Sequence, residues 1–467
     1  MSHWKRLARW SIPILGFAGL VLAVLALWPT ETARQVRAAR QALDAGRPLQ
    51  AAAHFAAAAE ADPGQPVLWS QAGAAALAGG DAQLAIHYIE RQAQPPLQDQ
   101  LLLGYAYQKL GDLARATEHY RQAAATGGPA GEAYRALWQI HREKGDYPAM
   151  QADLQALVTL FPAEVQYPYR LGLLLAATQP ELALPYLEVA VQLDPTHLPA
   201  REAVENALRT SRYYDDPAYR YLAIGRALAS LGEWELAAEA FLRATAQNEA
   251  YGEAWAYLAE ARQHLGQDGL AELSRALALA PDSVAVNLLA AFYWQRQGDF
   301  DQALAYLDAA ARLDPQNPVI QAEIGHTLGE KGDLPVAEAY YRKAIALAPT
   351  EAIYSRLLAA FALQHGIQMR AIALPAARQA VLLDPRDPAN LDVFAQVLLQ
   401  LDDPLTAERF LHEALWLAPD DPAVLLHLGQ VYWLRGETGP ATQKWQQVLV
   451  LAPGSAWAQE ARRWLER

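Results

Sequence analysis

Three acidic pairs are the residues whose spacing most resembles a reactive centre in this 467-residue chain: Asp215-Asp216, Asp402-Asp403 and Asp420-Asp421. Two adjacent carboxylates could share a proton or hold a divalent cation. Each pair, however, is followed at once by a proline, and an acid before proline is the order that opens a helix. The carboxylate accepts from an unpaired N–H of the first turn, and proline lacks a donor that the first turn would leave unpaired anyway. The pairs therefore read as caps and turns. The eleven histidines are scattered, and no HExxH, G-x-x-x-x-G-K-[ST] or G-x-S-x-G occurs. The absence of cysteine removes disulfides, thiolate metal sites and cysteine nucleophiles. The expectation is a protein that is not an enzyme, with no catalytic residue, metal or cofactor.

Charge narrows the partners. The formal net charge is −13. Residues 1–30 carry Lys5, Arg6 and Arg9 without an acid, so removing those three charges leaves −16 for the remainder. An acidic body of that size argues against a nucleic-acid partner.

The elements that position these residues recur at a fixed period. Pro281, Pro315 and Pro349 are 34 residues apart, as are Pro385, Pro419 and Pro453. A period of this size marks a repeat array. Abundant alanine and leucine, with glycine and proline at intervals, make the array helical. In residues 318–351, Asn317 and Pro318 open a first helix, Gly332 ends it in a left-handed conformation, and Asp333 caps a second. Gly-Asp returns at Gly80-Asp81, Gly111-Asp112, Gly145-Asp146 and Gly298-Asp299. Gly325 and Ala337 are small enough to let the two backbones approach, with Tyr341 beside them; Ala362 is expected to lie outside such a crossing.

These residues resemble the tetratricopeptide repeat, whose pattern spreads Trp, Leu-Gly, Tyr, Ala, Phe, Ala and Pro over one period. Leu103, Gly104, Tyr107, Ala116, Tyr120 and Ala123 stand in register, as do Leu428, Gly429, Tyr432, Ala441 and Trp445. Gly225, Ala237, Phe241 and Ala244 add another copy, and Trp69 and Trp255 occupy the leading aromatic position. The resemblance implies an all-α, right-handed α-solenoid of about twelve helical hairpins. The expected divisions are tetratricopeptide repeats over 33–196 and 218–453, an irregular joint or half repeat over 197–217, and a capping helix over 454–467. The stretch before Pro385 is longer by two residues than the period.

In that family the first helices line a concave groove for peptides or partner helices. Here that face is expected to carry Tyr105, Arg135, Arg142, Arg226, Phe292, Gln396, Gln430 and Trp433. An aromatic at such a position serves either as a platform or as packing. Tyr213, Tyr214 and Tyr219, in "SRYYDDPAYRYL", form a second candidate surface at the joint, because amphipathic tyrosines suit interfaces. One subset of the family grips a terminal carboxylate with lysine and asparagine in the groove; the five asparagines here fall elsewhere.

Residues 10–28 read as a transmembrane helix after a basic tail over 1–9: an uncharged run from Trp10 to Trp28 is long enough to span about 30 Å at about 1.5 Å per residue. A cleaved signal peptide, with Val24 and Ala26 before the cut, is the alternative. The basic leading tail favours a single-pass cell-membrane protein with its solenoid outside the cytoplasm. The function expected is a membrane-anchored scaffold for protein–protein interactions in assembly of an envelope complex. The alternative is a component that binds glycan or lipid-linked polymer in polysaccharide export.

Overall fold

The computed structural model describes residues 30–92, 95–125, 130–195, 204–209 and 216–467. Among them the chain is helical throughout, without a strand. It divides into two compact units, Met1–Arg209 and Thr210–Arg467.

The first unit holds five helical hairpins among its described residues, over 31–61, 67–89, 97–124, 130–160 and 166–193. The second holds seven, over 217–247, 252–279, 284–313, 318–347, 352–383, 388–417 and 422–451, followed by the helix Ala456–Leu465. Each helix is short because its ends are written locally. Asp81, Asp112, Asp146 and Asp299 accept from the backbone N–H groups of Leu84, Arg115, Ala149 and Gln302 at 2.9–3.2 Å. Such caps contribute about 0.5–2 kcal/mol each. Asp333 occupies the same position but makes no side-chain cap bond.

The acidic pairs take the same role where they are described. Asp216 caps Ala218 and Asp421 caps Ala423 and Val424. In Asp402-Asp403 the first residue takes the left-handed conformation that glycine holds in other hairpins, with φ 63°, and the second caps Thr406 at 3.1 Å.

Within the hairpin 318–347, an added Cβ on Gly325 would stand 3.1 Å from the Ala337 carbonyl and 3.1 Å from the Tyr341 ring. The first helix thus lies against the second at this point, and Ala337 is fully buried. Ala337→Leu is expected to overpack the crossing and cost about 1–3 kcal/mol, read as a lowered urea midpoint. Ala362 does not serve as the contrast, because it too is fully buried. The exposed Ala346 on the second helix does, and Ala346→Leu should leave the midpoint unchanged; equal effects of the two changes would contradict this packing.

The two extra residues before Pro385 are absorbed in a π-helical turn, Met369–Ala373, preceded by Gln368 at φ 44°. A wide turn takes up length without moving the following second helix off its buried stripe, since Ala377 and Ala380 remain fully buried. At the end of the chain Trp464 stacks on the fully buried Trp445 with centroids 5.5 Å apart, covering the last hairpin.

The expected single-pass membrane localisation requires correction. Among the described residues no helix is long and apolar enough to cross a membrane. The longest, Ala130–Lys144, has 15 residues and reaches about 22 Å at about 1.5 Å per residue, short of a hydrocarbon core of about 30 Å. The segment Trp10 to Trp28, on which the expectation rested, lies outside the described residues.

Candidate functional site

The second unit contains a groove of about 840 Å³ built from three successive first helices. Pro217–Ser230 contributes Arg226; Gly252–His264 contributes Glu253 and Tyr257; Val284–Arg296 contributes Leu288. The turn before the third helix, Ala280 to Ser283, forms one wall.

That wall is held by bonds between neighbouring repeats. The Ser283 hydroxyl donates to Glu253 Oε1 at 2.8 Å and also accepts from Val286 N–H. Asn287 Nδ2 donates to the carbonyls of Pro281 and Ser283 at 2.7 and 2.9 Å. Gly252 sits so close that an added Cβ would stand 2.6 Å from Ala280 Cβ. The turn is thereby preformed, so a ligand need not order it on binding.

Arg226 is exposed and its guanidinium lies 5.4 Å from the centroid of the Tyr257 ring. It has no carboxylate partner among the described residues. Burial pushes the Tyr257 phenol up, with Arg226 partly opposing. Tyr251, within electrostatic reach of Arg226, is pushed up to about 12, chiefly by burial, then by Glu253, Asp216 and Tyr219, with Arg226 opposing. Both phenols are neutral near pH 7 and can donate hydrogen bonds. The groove thus offers a cation on one side and the Glu253 and Asp282 carboxylates on another, with Leu279, Val284 and Leu288 as apolar floor.

Of the residues expected on the groove, Arg226 lines it. Phe292, one turn beyond Leu288, is half-buried against the cluster of Ala256, Ala276, Val286 and Leu289, on which Trp255 and Tyr257 also pack. Trp433 is half-buried between Trp445 and Trp464, at 5.9 and 6.4 Å. Gln396 donates to Asp392 at 2.8 Å, and Gln430 is half-buried. In the first unit, Tyr105 is exposed edge-on to Tyr120, and Arg142 is exposed. Arg135 donates to the Tyr167 hydroxyl at 2.9 Å and lies over Phe161. Tyr219 is exposed on Pro217–Ser230, whereas Tyr213 and Tyr214 lie outside the described residues.

Glu253, Tyr257, Asp282 and Leu288 escaped sequence reasoning. Of these only Asp282 carried a signal, as part of the turn "APDS" that marks the period. Nothing in that turn shows that its residues face a cavity.

The tetratricopeptide repeat family matches residues 262–318, which include the groove wall, and also 295–361 and 100–125. The chain carries tetratricopeptide repeats. Its tetratricopeptide hairpins are similar to several solved structures. Yeast Tom70 shares 16% identity over 93% of this chain and 95% of its own, with a TM-score of 0.46. The Cut9-Hcn1 hetero-tetramer of APC/C shares 14% over 94% and 97%, at 0.43. PilW, a widely conserved type IV pilus biogenesis factor, shares 20% over 44% and 96%, at 0.38. No curated protein matches the chain.

Proposed function

We propose that this protein is a tetratricopeptide repeat scaffold that holds partner proteins by an extended segment laid in the groove at Arg226, Tyr257 and Leu288. The observation that supports it is the exposed Arg226 guanidinium, held against Tyr257 without a carboxylate partner among the described residues, at a preformed, partly apolar groove. Arg226 would take a carboxylate of the segment, Glu253 and Asp282 would accept its N–H donors, and Leu288 would pack its apolar side chains. The floor contributes affinity and the rim sets register: an exposed ion pair alone contributes little, whereas a like charge set against the segment's carboxylate repels it.

A glycan ligand is less well served. Phe241 stacks beside Tyr257 at 5.4 Å and Arg226 lies over the same ring, so its surface is already engaged. No observation among the described residues favours an envelope role.

A photo-reactive residue at position 288 tests this reading in cells. Crosslinking should yield adducts with protein segments, and Arg226→Glu should reduce their yield at least about tenfold, roughly 1.4 kcal/mol, with helicity unchanged. Sugar adducts would transfer the reading to the glycan alternative. Protein adducts indifferent to Arg226→Glu would remove this groove as the binding site.

A further inference from the structure

The largest apolar exposures in the second unit obey the repeat. Leu382, Trp416 and Val450 are 70%, 79% and 80% exposed, and they are 34 residues apart. Each stands three residues before the repeat proline, on a second helix. The same position holds Gln192, Ala278, Arg312 and Ala346 in other repeats, so the fold does not require an apolar residue there.

Their direction follows from helix geometry. On Pro404–Leu417 the fully buried residues are Ala407, Leu411 and Ala414. Trp416 is nine residues beyond Ala407, and at about 100° per residue it points to the opposite side, away from the hairpin's own core. Ala441, Trp445 and Val448 place Val450 the same way.

The outward stripe of the central helix has a definite order. Leu405, 64% exposed, is followed by Arg409, Glu413 and Trp416 at helical spacing. Arg409 and Glu413 are exposed and have no ion-pair partner among the described residues. The order apolar, basic, acidic, apolar is its own complement when reversed. Laid antiparallel on a copy of itself, the helix sets Trp416 against Leu405 and Arg409 against Glu413, twice over. An isologous interface demands this self-complementarity.

We propose that the protein self-associates as a two-fold dimer through this face, with Pro404–Leu417 packed antiparallel on the same helix of a second copy. Trp416 supplies the apolar anchor, since a tryptophan can bury about 150–250 Å² of the roughly 800 Å² per partner that a stable interface needs. Leu382 and Val450, on the flanking helices, extend the apolar surface to either side. Arg409 and Glu413 set the register and exclude the parallel arrangement, which would oppose like charges.

Sedimentation velocity of the full chain tests the proposal. Micromolar protein should sediment as a dimer. Trp416→Glu should weaken association at least about tenfold, with an unchanged circular dichroism spectrum because the residue faces outward. Arg409→Glu and Glu413→Arg should each weaken association by placing like charges together, and the doubly exchanged variant should recover it. A monomer at every concentration overturns the proposal, as does a dimer indifferent to Trp416→Glu. Failure of the double exchange to recover association overturns the antiparallel pairing.

Discussion

Trp445→Ala is expected to destabilise the end of the second unit by about 3–5 kcal/mol, the range for truncating a buried aromatic. Trp445 is fully buried, stacks on Trp464, tilts against Trp433, and donates from Nε1 to the Leu426 carbonyl at 3.2 Å. An added Cβ on Gly429 would fall on its ring, so the first helix of the hairpin approaches closely only because that position is glycine. The variant leaves a cavity bounded by Pro422–Leu434, Thr438–Leu451 and Ala456–Leu465. Each repeat in such an array is held mainly by its neighbours, so the loss should appear as early local melting. Hydrogen exchange should show the last hairpin and Ala456–Leu465 exchanging first, ahead of residues 318–347. Unchanged protection would mean that Trp445 does not hold the terminal helix in place.

His141→Leu is the second large effect expected, in the first unit. His141 and Asp153 are both buried, with Nδ1 and Oδ2 2.6 Å apart. Burial raises the Asp153 pKa, and its hydrogen bond to His141 opposes that rise. Leucine keeps the apolar volume and removes the bond, leaving a buried carboxylate without this partner at neutral pH, a cost of about 3 kcal/mol. The sign of the pH dependence follows from the direction of the shift. A folded-state pKa above the unfolded value means that the folded chain binds the proton more tightly. Asp153 therefore favours folding while it is protonated, and that contribution is lost as pH rises through the raised folded value. Removing His141 widens this window, so the penalty in the variant should be largest at neutral pH and shrink on acidification toward the ordinary aspartate range. Urea unfolding across a pH series reads it directly. A penalty independent of pH would assign the loss to packing alone.

The period and the hairpin ends were legible in the sequence because they are written by local interactions. A glycine in the left-handed region, an aspartate accepting from an N–H two or three residues on, and a proline in the first turn each act within a few residues. The second helices were legible for the same kind of reason. Ala303, Leu307 and Ala310 form one buried stripe with the exposed Asp301, Asp308 and Arg312 opposite, so helical spacing alone identifies the inward face. The first helices carry no such signal. On Pro422–Leu434 the residues Val424, Leu425, Leu426, His427, Leu428, Gly429 and Val431 are all buried, because the helix packs against its own partner and against adjoining repeats. When burial runs around most of a helix, periodicity cannot separate a groove position from a core position. Trp433 and Arg226 could thus be placed on one expected face, although one packs among tryptophans and the other opens onto a cavity. Tertiary structure alone decided that difference. It also decided that Trp416, which helical spacing turns away from its own hairpin, is left uncovered by the other described elements, since exposure is a property of what surrounds a residue and not of its type.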